Sequence, residues 1–105
     1  MDIKQSLKLF LNYLDSDEEI EYYLRINADL NEEIVLTAIS LARKVIDDYK
    51  DELVFPKVIA SFCLKSNERV ISILSSSLFN KDNQNQFDKY ISQLNELKTY
   101  FLNSL

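Results

Sequence analysis

A chain of 105 residues, of which 47% are hydrophobic and 28% are charged, has the composition of one ordinary globular domain and not of a disordered chain or a membrane protein. Its formal net charge of −5 repels nucleic acid and anionic lipid and favours a basic partner. We therefore expect a single domain over residues 1–105 that binds neither nucleic acid nor a membrane.

Four scarce or absent residue types narrow the possible folds and the possible chemistry of the protein. With no glycine and one proline, the chain lacks the residues of tight hairpins and phosphate-binding loops, which favours helices over a sheet. The absence of histidine removes the usual general base and the Ser–His and Cys–His nucleophile pairs. One cysteine cannot form an internal disulfide, and residues 1–15 lack the apolar run of a signal peptide. We expect a cytoplasmic protein that is not an enzyme and has no cofactor or bound metal.

The first predicted helix covers residues 2–14, with Asp2 as its expected N-cap. Its apolar residues recur at helical spacing on one face: Ile3, Leu7, Phe10 and Leu14.

A second helix is predicted after Asp15. Residues 16–19, Ser-Asp-Glu-Glu, have the form of a capping box, in which Ser16 and Glu19 satisfy the free amides of a new helix that ends near Arg25. The residues predicted to face inward are Ile20, Tyr23, Leu24 and Asn27. Helical geometry then places Tyr22 on the opposite, outward side.

Residues 31–50 form the predicted central helix, because this segment is apolar over most of its circumference. Asn31 is its expected N-cap, and Glu32 and Glu33 stand in the first turn, where the helix dipole favours negative charge. The apolar positions form one row that is widened on both sides: Val35, Leu36, Ala38, Ile39, Leu41, Ala42, Val45, Ile46 and Tyr49. Such a helix needs neighbours on several sides, which predicts an antiparallel bundle of four to five helices around residues 31–50.

The second half of the chain predicts one or two further helices over residues 56–79 and a last helix after residue 85. Pro56 suits the first turn of a helix, and Ser66-Asn67-Glu68 could cap a fresh start, so the segment is either one helix or two. Residues 80–85 are polar and are predicted to form a loop. The last helix carries a near-heptad apolar row: Phe87, Tyr90, Leu94, Leu97 and Phe101.

The candidate partner-binding site lies in the segment DSDEEIEYY, residues 15–23. Acidic residues steer a cationic partner, and an outward tyrosine supplies the contact area of a binding hot spot. The residues assigned to this site are Asp17, Glu18, Glu19, Glu21 and Tyr22. The alternative interpretation is an ordinary capped helix start whose tyrosine lies on its neighbours.

A second candidate is a magnesium site made by two pairs of carboxylates at a spacing of three residues. The pairs are Glu18 with Glu21 and Asp48 with Asp51, and four oxygens would converge if the two helices were antiparallel neighbours. The pattern resembles the paired acidic motifs of the all-α nucleoside triphosphate pyrophosphohydrolases, although the second pair has Asp where that family usually has Glu. The resemblance implies helix-borne carboxylates that hold magnesium.

Three functions remain open from sequence alone. The first is a small acidic protein that binds a basic partner protein stoichiometrically, as an immunity protein, antitoxin or inhibitor does. The second is the magnesium-dependent, pyrophosphohydrolase-like enzyme. The third is a homo-oligomeric structural or adaptor protein, in which the acidic first half of one copy meets residues 56–79 of another, where three Lys or Arg stand against one Glu.

Overall fold

The computed structural model of the chain describes residues 3–76 and 84–105. Its helices are α1 (Gln5–Leu14), α2 (Ile20–Asn27), α3 (Glu32–Tyr49), α4 (Lys57–Ser61), α5 (Asn67–Ser75) and α6 (Gln84–Asn103), with a π-helical turn, Phe62–Ser66, between α4 and α5. Residues at both junctions of the π turn keep right-handed helical angles, so α4, the turn and α5 form one continuous segment. Counted in this way, the described residues hold five helices and no strand, which confirms the predicted all-α bundle.

Helix α3 is the centre of the bundle, as predicted. It contacts α1, α2, α4 and α6, and it begins at a side-chain cap, in which the Ile34 amide donates to Asn31 Oδ1 at 2.9 Å. Its buried residues are Ile34, Val35, Ala38, Ala42, Val45 and Ile46. The predicted apolar surface is too wide by one position, because Leu36 is 44% exposed.

Helices α1 and α2 lie one after the other along α3 and run in the opposite direction. Lys4, at the start of α1, donates through Nζ to the Asp48 carbonyl near the end of α3, while α2 ends next to the start of α3. At 1.5 Å per residue, α1 and α2 are about 15 Å and about 12 Å long, and together they match the roughly 27 Å of α3. Each short helix therefore covers about half of the central one.

Helix α6 runs in the same direction as α3, so the predicted antiparallel arrangement is wrong for this pair of helices. Lys89 pairs with Glu32 at one end of the two helices, and the Tyr100 hydroxyl donates to Asp47 at the other. The predicted row of α6 is buried, at 0 to 2% exposure, and its members are Phe87, Tyr90, Leu94, Leu97 and Phe101. The side-chain amide of Asn67, on α5, donates to the backbone carbonyl of Leu94, on α6, at 3.1 Å. This hydrogen bond links the two helices.

Three predicted boundaries are wrong. Helix α1 begins at Gln5 after Lys4, so Ile3 precedes the helix and is 47% exposed; the predicted cap, Asp2, lies outside the described residues. Helix α5 ends at Ser75, because Ser76 is already extended, and not near residue 79. Of the predicted loop at residues 80–85, positions 80–83 lie outside the described residues, and α6 already begins at Gln84.

No new helix starts at Ser66-Asn67-Glu68. The segment is instead continuous and contains a π turn at this place. Ser66 has helical backbone angles, and its side chain caps no amide. The backbone N–H of Asn67 donates to the Phe62 carbonyl, five residues earlier in the chain. Three buried positions, Ile59, Cys63 and Asn67, recur every four residues. In a regular α-helix such positions drift around the axis, and the wider π turn keeps them facing the core.

Candidate functional site

Helix α2 is short, and both of its ends are fixed by hydrogen bonds. At the start, Glu19 Oε2 accepts from the Tyr22 amide at 2.8 Å. At the end, the Ala28 amide donates to the Leu24 carbonyl at 2.9 Å, with Ala28 in the left-handed region at φ 52°. Glycine is the usual residue in this helix-ending conformation. This chain contains no glycine, and alanine occupies the position.

The outward face of α2 carries two exposed apolar side chains. Tyr22 is 49% exposed and Ile26 is 66% exposed, while Ile20 and Leu24 on the inward face are fully buried. Side chains four residues apart are neighbours on a helix surface, so Tyr22 and Ile26 lie side by side. The turn before α2 adds the exposed Asp15, Asp17 and Glu18. We refer to these five residues as the α2 surface.

The three carboxylates of the α2 surface are available to a partner. Asp15, Asp17 and Glu18 are exposed, and within residues 3–76 and 84–105 none of them forms an ion pair. A group of unpaired charges of one sign beside apolar side chains produces a local negative potential that attracts cations.

Two of the carboxylates assigned to the site from sequence are bound within the chain. Glu19 is only 9% exposed and caps α2, whereas the predicted cap, Ser16, donates to the Tyr13 carbonyl instead. Glu21 faces α5 and the π turn, where it binds Ser66 and Arg69. The structure thus leaves Asp17, Glu18 and Tyr22 exposed, whereas Glu19 and Glu21 are engaged in contacts within the chain.

Glu21 is the centre of a clamp that ties α2 to α5. Its carboxylate accepts from Arg69 at 2.9 and 3.0 Å, from Arg25 at 2.9 and 3.2 Å, and from Ser66 at 3.2 Å. Partial burial by itself raises the pKa of Glu21, but the hydrogen bonds from Arg69 and Arg25 outweigh it and lower that pKa below its usual value. The clamp therefore holds an ionised Glu21 and fixes α2 on the bundle.

The clamp predicts a specific loss of stability in acid. Because the pKa of Glu21 is lower in the folded protein, its contribution is complete above the unfolded value of 4.5 and is lost as the pH falls through the folded pKa. Glu21→Gln should lower the unfolding free energy at pH 7 by about 1 kcal/mol, a small value because both arginines are half exposed to water. Urea unfolding at several pH values should show the wild type and the variant converging below pH 4.5. A matched control is Glu96→Gln, an exposed residue outside the clamp; an equal loss there would contradict the assignment.

The proposed magnesium carboxylates do not converge. Glu21 turns towards α5, and Asp48 lies at the opposite end of α3 from the α2–α3 connection. Since α2 is only about 12 Å long, it covers the first half of α3 and does not reach Asp48 or Asp51. Among residues 3–76 and 84–105, no group of three or more potential ligands is placed to hold a metal ion. The four carboxylates that the enzyme hypothesis needed at one magnesium site therefore do not meet.

Cys63 is a buried thiol of the core. It is fully buried in the π turn, and burial raises its pKa to about 12. Because the thiolate is the reactive form, such a cysteine is inert at neutral pH.

Two residues of the α2 surface were not assigned to the site from sequence: Asp15, which lies in the acidic segment 15–23, and Ile26, which lies outside it. The predicted helix ended near Arg25, so Ile26 was not assigned to its outward face. The available signal was its spacing of four from Tyr22, which continues the outward row if α2 extends past Arg25 by one or two residues. The helix does extend to Asn27, and Ile26 is the more exposed of the two apolar side chains.

Comparison of the chain with known protein families, with curated proteins and with solved structures finds no match. In the part of the chain that the structure describes, no helix has both the length and the apolar content that crossing a bilayer requires. The function of this chain is therefore inferred from its own surfaces.

Proposed function

We propose that the chain is a small acidic protein-binding domain that acts by stoichiometric contact with a basic partner protein, in the manner of an immunity protein, antitoxin or inhibitor. The observation that supports the proposal most directly is the α2 surface, where Tyr22 and Ile26 are exposed side by side and the preceding turn carries three exposed carboxylates.

The apolar pair supplies the contact that determines how long a complex lasts. A partly exposed tyrosine offers a large, fairly rigid side chain whose hydroxyl can remain hydrated, and tyrosine is enriched at hot spots for these reasons. Ile26 extends the apolar area by about one helical turn. Scattered exposed apolar residues are common on soluble proteins, but an adjacent aromatic and branched pair rimmed by charges is typical of an interface.

The carboxylates supply the attraction that brings the partner to the surface. Residues 1–30 carry three Lys or Arg against seven Asp or Glu, so that region accounts for −4 of the net charge of −5. Arg25, the cation nearest to Tyr22 on α2, is paired with Glu21. A surface of this sign selects a partner that presents Lys or Arg, and it repels nucleic acid.

The Glu21 clamp makes the α2 surface a preorganised one. An isolated helix of eight residues is unstable in water, but α2 is capped at both ends and bound to Ser66 and Arg69. A binding helix that is already fixed loses little conformational freedom on association, and more of the contact energy then appears as affinity.

The experiment that tests the proposal compares capture by charge-reversed variants. Immobilised wild type should retain a basic protein from the native cell extract, and Asp17→Lys with Glu18→Lys should slow its association by about tenfold at low salt and flatten the salt dependence, because long-range attraction is screened within about 10 Å at 0.1 M salt. The matched control is Glu33→Lys with Glu96→Lys, two exposed carboxylates outside the α2 surface.

Two results would contradict the proposal. One is equal retention of the partner by both charge-reversed proteins, which would place the contact elsewhere. The other is a retained partner with no excess of Lys and Arg and with association rates independent of salt.

A further inference from the structure

The clamp that fixes α2 leaves positive charge at the surface. Glu21 is one carboxylate between two guanidinium groups, and Arg69 binds it through two nitrogens at 2.9 and 3.0 Å. Arg25 binds only Oε2, an oxygen that Arg69 also uses. Both arginine side chains are more than half exposed, at 55% for Arg25 and 52% for Arg69. Two positive charges thus share one negative charge.

Lys65 adds a third cation on the same side of the bundle. It precedes Ser66, whose hydroxyl donates to Glu21 at 3.2 Å. It also stands four residues before Arg69, a spacing at which side chains are neighbours on a helix surface. Lys65 is exposed, and it forms no ion pair with any residue that the structure describes. We call these three cations the basic edge: Arg25, Lys65 and Arg69.

The carboxylates near the basic edge do not cancel its charge. Glu68, next to Arg69 in sequence, pairs with Lys98 of α6 at 2.8 Å. Glu19 is only 9% exposed and accepts from an amide at the start of α2. With both Glu19 and Glu21 counted, two negative charges stand against three positive ones.

The basic edge and the acidic residues of the α2 surface lie at different ends of α2. Asp15, Asp17 and Glu18 precede the helix and form an acidic turn, Arg25 is in its last turn, and Tyr22 lies between them. Helix α2 is about 12 Å long, which is close to the screening length of about 10 Å at 0.1 M salt. A partner at close range therefore meets two separate charges of opposite sign.

We propose that the basic edge binds a carboxylate of the partner protein, which presents Lys or Arg to the acidic turn and Asp or Glu to the basic edge. The inference rests on the proposed function and specifies its partner. Glu21 occupies Nε and Nη2 of Arg25 and of Arg69, which leaves Nη1 of each arginine as a donor for a second carboxylate. Opposite charges at the two ends of α2 fix the orientation of the partner and exclude proteins that are basic throughout.

A second copy of this chain also carries both signs of charge, but it is the less favourable occupant. Each copy has a net charge of −5, so two copies repel one another at long range, whereas a basic protein is attracted. The homo-oligomer predicted from charge, in which the acidic first half of one copy meets residues 56–79 of another, would use the same basic edge. The test therefore includes the mass of the protein in solution.

Lys65→Glu tests the proposal without disturbing the clamp, because Lys65 is exposed and does not bind Glu21. Surface plasmon resonance with the basic protein that the immobilised wild type retains should show a dissociation constant raised by about tenfold or more, since the new glutamate faces the partner's carboxylate. A partner that is basic throughout would instead bind Lys65→Glu more tightly. The matched control is Lys44→Glu, the same change at an exposed position of α3, which should not weaken binding.

A second measurement needs no natural partner and uses tetraglutamate and tetralysine as probes. In nuclear magnetic resonance spectra of the full chain, tetraglutamate should shift the Nε–H signals of Arg25 and Arg69, and Lys65→Glu should abolish these shifts. Tetralysine should shift the backbone amide signals of residues 15–18 instead.

The proposal is overturned by equal or tighter partner binding in Lys65→Glu, by an equal loss in Lys44→Glu, or by tetraglutamate shifts that do not centre on the basic edge. It is also overturned if sedimentation equilibrium shows a wild-type dimer that Lys65→Glu dissociates, because a second copy would then occupy the edge. The proposed function fails separately, when reversal of Asp17 and Glu18 leaves partner binding unchanged.

Discussion

Replacing Phe10 by alanine should lower the free energy of unfolding by about 3 to 5 kcal/mol, a large part of the roughly 5 to 15 kcal/mol expected for a domain of this size. Phe10 is fully buried. Its ring meets Phe62 edge to face, with 5.1 Å between centroids, and lies 6.0 Å from Tyr13. Alanine would leave a cavity between α1 and the π turn and would remove both ring contacts.

Urea unfolding of Phe10→Ala beside Leu9→Ala measures this effect with its control. Leu9 is adjacent in sequence on the same helix but is 42% exposed, so its truncation should cost about 1 kcal/mol or less. Similar losses in the two variants would mean that α1 is not packed by its Phe10 face, and the inward face assigned to α1 would be wrong.

How well the sequence predicts each helix depends on how local its determinants are. Helices α3 and α6 are long, periodic and well predicted, because the Asn31 cap and the row from Phe87 to Phe101 depend on neighbours in sequence. The start of α2 is set by a contact that no local pattern contains: the Ile20 amide donates to the Tyr13 hydroxyl at 2.9 Å. With Ser16 bonded back to Tyr13, the N-cap of the helix is Glu19, three residues after the predicted cap, Ser16.

The sequence predicts only part of the candidate site, because some of its residues are positioned by local helix geometry and others by tertiary contacts. Outward placement of Tyr22 follows from the helical period and needs no tertiary information. The inward turn of Glu21 does not, because Arg69 is 48 residues away in sequence and meets Glu21 only after α2 has docked beside α5. Acidic residues of one short segment therefore look equivalent in sequence. Packing of the helices distinguishes them: Glu19 and Glu21 form contacts within the chain, whereas Asp17 and Glu18 stay exposed.

Tyr22→Ala should weaken binding of the basic partner by about 2 kcal/mol or more, roughly thirtyfold in the dissociation constant, because truncation removes an aromatic anchor from the centre of the contact. The loss should appear as faster dissociation with little change in association, since an uncharged side chain contributes nothing to long-range attraction. Ile26→Ala should act in the same direction with a smaller effect. Tyr22→Phe should retain most of the affinity, because it keeps the ring.

Surface plasmon resonance with the captured partner measures both rates, and Leu36→Ala is the control, because Leu36 is similarly exposed at 44% but stands on α3. The stability of Tyr22→Ala should fall by about 0.5 kcal/mol or less, as is usual for an exposed residue away from core and caps. If Tyr22→Ala slowed association and left dissociation unchanged, Tyr22 would contribute to long-range attraction and would not be the aromatic anchor of the contact. If Leu36→Ala weakened the complex as much as Tyr22→Ala, the contact would be centred on α3, and the acidic turn before α2 would be a solvated helix start.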